Sequence, residues 1–234
     1  AIRPGGCSVR VLARDLLEIA GDLVAKGRRV AVLNMASAVC PGGGFRSGAG
    51  AQEENLHRRS DAVRFTEEMQ QGNYPIPDRG CLLSRGVTVF RGSEKDGYPL
   101  LDSTFRIELI SCAAVCYPPL TQGRGYCRES DRQLMEAKAA AVVQAAAVAS
   151  CDVAVLSAFG CGAFGNPPEL VARMFQKALE QSPLQEAIFC IVEDHNSGGL
   201  HNPQGNARPF QEVFGAARER ERSPSSAPCS CALE

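Results

Sequence analysis

Twice in this chain a short apolar run empties into bare glycine backbone and then, without a pause, into a helical pattern. Nothing else in the sequence narrows the fold as much. Arg29 to Leu33 (RVAVL) leads into NMASAVCPGGGFRSGAG at 34–50, and Asp152 to Phe159 (DVAVLSAF) leads into GCGAFGNPP at 160–168. Runs of β-branched and aliphatic residues with no polar alternation suit strands covered on both faces, as in a parallel sheet flanked by helices. Ligands of such sheets collect at the carboxyl ends of the strands, where these glycine loops would lie.

The rest of the chain fills in the alternation. Residues 8–26 place Val9, Leu12, Leu16, Ile19 and Leu23 on one stripe, which predicts a helix capped by Ser8 and ended by Gly27. A second helix is expected over 51–69, with Leu56, Val63 and Phe65 inward. Residues 71–106 read as an excursion around one strand, 86–91 (GVTVFR), and 106–116 (RIELISCAAVC) as a further strand. Ser130 to Gln133 has the reciprocal capping pattern at the start of an alanine-rich helix through Ala149. Asn166 as cap and Pro167 in the first turn open another over 168–181. A last strand at 187–193 and a short helix at 210–222 precede a Ser/Pro-rich tail. The reading is one α/β domain over 1–222, with 223–234 a disordered tail.

Composition removes several classes of function. Lys and Arg number 25 against 26 Asp and Glu, so no global charge seeks DNA or an anionic membrane. No apolar stretch is long enough to span a bilayer. The eleven cysteines are odd in number and lie mostly in apolar runs, which favours reduced thiols and a cytoplasmic chain, nuclear if the source is eukaryotic. Neither Cys112 with Cys116 nor Cys229 with Cys231 has a histidine beside it, so no zinc site is expected. The terminal Cys231-Ala-Leu-Glu ends on an acid, outside the usual prenylation set.

The chemistry sits in the two loops. Gly160-Cys161-Gly162-Ala163-Phe164-Gly165 can turn backbone N–H groups on a diphosphate with few side chains in the way. It also satisfies the G-x-G-x-x-G spacing of a dinucleotide-binding turn, with Glu193 closing the next strand where a ribose-binding acid would stand. Gly42-Gly43-Gly44, seven residues, and Gln52-Glu53-Glu54 bring two carboxylates to the same edge. Neighbouring acids on a helix point in different directions, so one can face a reacting bond while the other holds a hydroxyl or the wall. A solvated acidic first turn, favoured by the helix dipole, is the simpler alternative, but it gives three glycines no purpose. His57 is expected to be solvated. His195 and His201 rim an adenine site or do nothing, and Phe210 either stacks on adenine or packs in the core.

Taken together these motifs resemble the microbial-type poly(ADP-ribose) glycohydrolases, a branch of the macrodomain fold. The resemblance rests on the triple glycine, seven-residue spacer and Gln-Glu-Glu, on LNMASAVCPGGG at 33–44, Arg58-Arg59-Ser60, GVTVFRG at 86–92 and GCGAFGNPPELVARMF at 160–175. It implies a macrodomain-like three-layer α/β/α fold with a largely parallel mixed central sheet. It also implies hydrolysis of ribose–ribose O-glycosidic bonds of poly(ADP-ribose), mainly from chain ends, with ADP-ribose as product. By resemblance Glu54 acts as acid and then base, Glu53 orients ribose hydroxyls and Gln52 supports the loop. Asn34, Gly42, Gly43, Gly44 and Gly160 to Gly165 bind substrate, Phe164 pressing on the distal ribose. Ser37 stands where many macrodomains place an asparagine. No cofactor or metal is implied, and the partners are poly(ADP-ribose) or ADP-ribosylated protein, without membrane or direct DNA contact. Other readings are a hydrolase for single ADP-ribosyl groups on an acceptor, a non-catalytic ADP-ribose reader, and an NAD-binding oxidoreductase. A helix amino terminus should depress the pKa of a carboxyl proton donor, whereas burial and substrate phosphates raise it, so the acid form is expected with substrate bound.

Overall fold

The computed structural model describes residues 6–69 and 73–215. Six strands form one sheet in the order β1-β6-β5-β2-β4-β3, parallel except for the β3–β4 pair. In chain order the elements are β1 (Ser8–Leu12), α1 (Leu16–Val24), β2 (Val30–Met35), α2 (Gln52–Arg59), α3 (Ala62–Met69) and β3 (Leu82–Arg91). Then come β4 (Leu100–Cys112), α4 (Glu129–Val148), β5 (Val153–Leu156), α5 (Pro168–Glu180), β6 (Glu186–Cys190) and α6 (Ala207–Phe214). Alternate residues of the buried strands serve opposite faces. Ala31, Leu33, Ala154 and Leu156 join a core with α4, α5 and α6, whereas Val30, Val32, Val153 and Val155 join one with α1 and α2. The three-layer expectation holds.

Several boundaries differ, each for a tertiary reason. Residues 8–12 are a strand and not the start of a helix, because they pair in parallel with β6, Ser8 opposite Glu186 through Leu12 opposite Cys190. The helix begins after Asp15, whose carboxylate accepts the Glu18 N–H at 2.8 Å, so Asp15 and not Ser8 caps it. The helix expected over 51–69 breaks at Ser60, which is extended and bridges Val89, while Asp61 accepts the Thr88 N–H at 2.7 Å. Residues 82–112 form the antiparallel edge of the sheet rather than an excursion from it. The capping pattern at Ser130 is not used. The helix starts at Glu129, which holds Gln133 and Arg132 through its carboxylate. Pro167 replaces Asn166 at the cap of α5, with Pro168 in the first turn. The helix near 210 begins earlier, at Ala207, and the tail lies outside the described residues.

Helix α2 is fastened to the rest by a buried cation. Arg59, 2% exposed, reaches the Asp15 carboxylate with both terminal nitrogens at 2.7 and 2.9 Å, and the Asn55 side-chain oxygen at 3.1 Å. One guanidinium therefore links the signature helix to the start of α1. Burial would raise the Asp15 pKa, but the Arg59 bonds and the Glu18 amide outweigh it and leave it lowered. Replacing Arg59 with Met leaves Asp15 unpaired. We expect a loss of about 3 kcal/mol in urea unfolding, at the low end for such pairs because Asp15 keeps some solvent; a change below ~0.5 kcal/mol, the range of ordinary surface substitutions, would contradict the role.

Candidate active site

A cavity of about 640 Å³ opens at the carboxyl ends of the parallel strands, between Met35 at the end of β2, Ala114 after β4, Phe159 and Gly160 after β5, and Cys190 at the end of β6. The glycine loop after β5 forms one wall through Gly160, Gly162, Ala163 and Phe164. Its amides divide by use. The Cys161, Gly165 and Asn166 N–H groups close the turn on Ala158, Gly162 and Gly160 carbonyls at 3.0 Å each. The consecutive N–H groups of Gly162, Ala163 and Phe164 have no acceptor among the described residues, and adjacent free amides of that kind suit an anion. Glycine is required at 160, where φ is +70° and a Cβ would stand 2.5 Å from the Ala114 methyl.

The loop is propped from both sides. Asn166, fully buried, donates to the Val115 and Gly160 carbonyls at 2.7 and 3.0 Å and accepts the Tyr126 hydroxyl at 3.0 Å. His201 Nε2–H and the Asn202 amide both donate to the Cys161 carbonyl, at 2.8 and 3.3 Å. The Cys161 side chain is fully buried and takes no part in the cavity wall, so its contribution is backbone alone. His201 thus supports the cradle, while His195 is exposed and outside the wall. Phe210 packs on Phe189 and is core. Glu193 accepts the Asn206 and Ala207 N–H groups at the start of α6; burial opposes ionisation there, but these bonds and that of Ser197 lower its pKa. Committed in this way, Glu193 is not a ribose-binding acid, and the sheet order is not that of a dinucleotide-binding domain.

The first loop is built around its carboxylates. On α2 the residues Gln52, Asn55, Leu56 and Arg59 face the cavity, and Glu53, Glu54 and His57 stand on the rest of the helix, under the glycines. Gln52 anchors the rim, its side chain accepting the Met35 N–H at 2.8 Å and donating to the Leu33 carbonyl at 2.7 Å. Glu53, 3% exposed, accepts from Ser37 N–H at 2.7 Å, Gly42 N–H at 3.1 Å and the Asn34 amide at 3.3 Å. Glu54 accepts the Gly44 N–H at 2.9 Å through Oε1, and its buried Oε2 has no partner. A Cβ on Gly43, where φ is +56°, would lie 2.3 Å from Glu54 Oε1. Glycine at 43 therefore lets backbone close over the two carboxylates, while a Cβ on Gly42 or Gly44 would meet His57 at 2.9 Å or Ala49 at 2.8 Å.

The structure brings Gln52 and the amide cradle to one cavity, but not the carboxyl groups themselves, which lie beside its rim of Gly50, Ala51 and Gln52. Asn34, fully buried, binds Glu53 and Ser111 rather than lining the cavity. The Ser37 hydroxyl accepts the Cys40 N–H at 3.1 Å, inside its own loop. His57 is buried, contrary to the solvated expectation. Its Nδ1–H donates to the Glu53 carbonyl at 2.8 Å, its Nε2 has no partner, and burial lowers its pKa. The turn-to-turn spacing of Glu53 and His57 hinted at that bond, whereas the Asp15–Arg59 pair had no local signal.

The first 92 residues decide the family jointly with the whole fold. Residues 3–92 match the family model for the microbial-type PARG catalytic domain. A poly(ADP-ribose) glycohydrolase from Thermomonospora curvata, solved with the inhibitor ADP-HPD, is 31% identical over 89% of this chain and 80% of its own, with a TM-score of 0.70. The chain belongs to the microbial-type poly(ADP-ribose) glycohydrolase family. The glycohydrolase from Deinococcus radiodurans, solved with ADP-ribose, is 28% identical over 90% of this chain and 85% of its own, with a TM-score of 0.72. No curated protein sequence matches. Within this glycohydrolase fold, no helix among the described residues is long and apolar enough to cross a membrane.

Burial raises the Glu53 pKa from 4.5 to about 7, against the opposing bonds from Ser37, Asn34 and Gly42 and with a smaller push from Glu54. Between those two values the native state keeps a proton that the unfolded chain has lost, so this contribution to stability is complete below about pH 4.5 and gone above about 7. His57 works in the opposite sense, so the comparison needs a variant. Glu53→Gln should remove the downward component from stability measured against pH; a slope equal to that of the unaltered protein would contradict the assignment.

Proposed function

We propose that this chain hydrolyses the ribose–ribose O-glycosidic bonds of poly(ADP-ribose), mainly from chain ends, and releases ADP-ribose. Its family membership supports the substrate class. The observation that carries the chemistry is the half-satisfied carboxyl of Glu54, one oxygen held by Gly44 N–H and the other buried and free. A buried oxygen without a partner is costly unless a proton or a substrate atom meets it.

Cleavage passes through an oxocarbenium-like state at the anomeric carbon of the distal ribose. The pyrophosphate rests on the free amides of Gly162, Ala163 and Phe164, with Phe164 pressing on the distal ribose beyond it. The reacting linkage is then presented at the Gln52 rim, next to Glu54. Protonated Glu54 gives its proton to the departing 2′-oxygen as the bond to the anomeric carbon breaks. The resulting carboxylate then takes a proton from the attacking water. The proton sits on Oε2, the oxygen without a partner, while Gly44 N–H keeps Oε1. Glu53, fixed by three donors, holds ribose hydroxyls, and Asn34 acts by fixing Glu53. We also place the protein in a reducing compartment, the cytoplasm or a nucleus, since all nine described cysteines are free.

Replacing Glu54 with Gln keeps the shape and removes the proton. Release of ADP-ribose from polymer should fall by at least ~100-fold, while calorimetric affinity for ADP-ribose stays within about twofold, the change expected of a near-neutral contact worth ~0.4 kcal/mol. A variant that still shortens polymer at the unaltered rate refutes the role of Glu54. Cleavage of single ADP-ribosyl groups alone would move the substrate class to a mono-ADP-ribosyl acceptor.

A further inference from the structure

Among the described residues Tyr117 is the one aromatic side chain that stands mostly in solvent, 72% exposed. Single exposed apolar residues need no explanation in general. This one has a costly backbone. Its φ is +49°, a left-handed conformation rare for a bulky residue, which points to a local constraint with a purpose. The constraint is visible: the Tyr117 N–H donates to the Phe164 carbonyl at 2.9 Å, tying the loop after β4 to the phosphate cradle. The ring edge passes 3.8 Å from where a Cβ on Gly165 would lie, which sets the tyrosine beside the cradle.

The sheet order gives the direction. Strands run β6, β5, β2, β4 across the mouth of the site. The cradle follows β5 and the acidic signature follows β2, so a nucleotide-sugar with its pyrophosphate on the cradle and its distal ribose at Glu54 runs toward β4. Whatever is attached beyond the reacting bond meets the loops leaving β2 and β4. Val39 on the first, 73% exposed, and Tyr117 on the second both stand in solvent, outside the cavity wall. The two strands are parallel neighbours, and Ala36 N–H donates to the Cys112 carbonyl at 3.0 Å, so the loops leave side by side.

We infer that Tyr117 is a stacking platform for the adenine of the penultimate ADP-ribose unit, the group that departs when the terminal unit is cut. Every nucleobase offers a flat face, and an exposed ring on a fixed backbone captures it without base-specific contacts. Tyr117 is a positioning residue for polymer. This rests on the glycohydrolase reading above and names the acceptor that the site prefers.

The test uses the inactive Glu54→Gln protein titrated with ADP-ribose and with its two-unit oligomer. The oligomer should bind about tenfold more tightly than the monomer, within the range of one base–aromatic stack. Adding Tyr117→Asn, which tolerates the left-handed backbone but lacks the ring, should abolish that ratio, and Tyr117→Phe should restore it. A general folding defect would weaken both ligands together and leave the ratio in place, as would a platform elsewhere; an unchanged ratio overturns the inference. Failure of Glu54→Gln to bind either ligand overturns the glycohydrolase reading itself, and the inference with it.

Discussion

Everything near the site depends on getting two carboxylates out of water without losing them. A buried carboxylate is tolerated only with donors around it. Here the donors are backbone amides of the loop that buries it: Ser37 and Gly42 for Glu53, Gly44 for Glu54. Side chains at 42, 43 and 44 would collide with His57, Glu54 and Ala49, each at under 3 Å. The glycine triplet and the acidic pair are thus one device, in which each is unworkable without the other. Its supports extend outward, through the Asn34 amide at the end of β2 and the His57 imidazole one turn along α2.

The second loop solves the opposite problem. It exposes amides instead of covering acids, and it does so by spending its carbonyls and remaining amides on fixed partners. Asn166, Asn202 and His201 take the Gly160 and Cys161 carbonyls, leaving three consecutive N–H groups toward the cavity. A cradle held in this way needs little reorganisation when a diphosphate arrives, which is the basis of electrostatic preorganisation. The two proline residues at 167 and 168 remove donors from the start of α5, so the anion is met by the loop more than by the helix end.

How much of this was legible in the sequence follows from range. Local patterns such as RVAVL, DVAVL and the two glycine loops placed the parallel strands and the site at their ends. Pairing between distant segments did not show. Residues 8–12 satisfy a helical stripe as well as a strand, and only β6, some 175 residues away, decides between them. The break at Ser60 likewise answers to Val89. Within the site, residue identity was readable but direction was not: the side chains of Asn34 and Cys161 are fully buried, behind the cavity wall. His57 looked solvated because helical spacing alone does not say which face a covering loop will choose.

The most direct test of the account is a crystal structure of the protein with ADP-ribose. The account predicts one molecule spanning the two loops, its pyrophosphate within hydrogen-bond distance of the Gly162, Ala163 and Phe164 amides and its distal ribose against the Gln52 rim, with a Glu54 carboxyl oxygen facing the anomeric carbon. A ligand seated on the cradle with its distal ribose directed away from Glu54, or bound elsewhere on the protein, would contradict it.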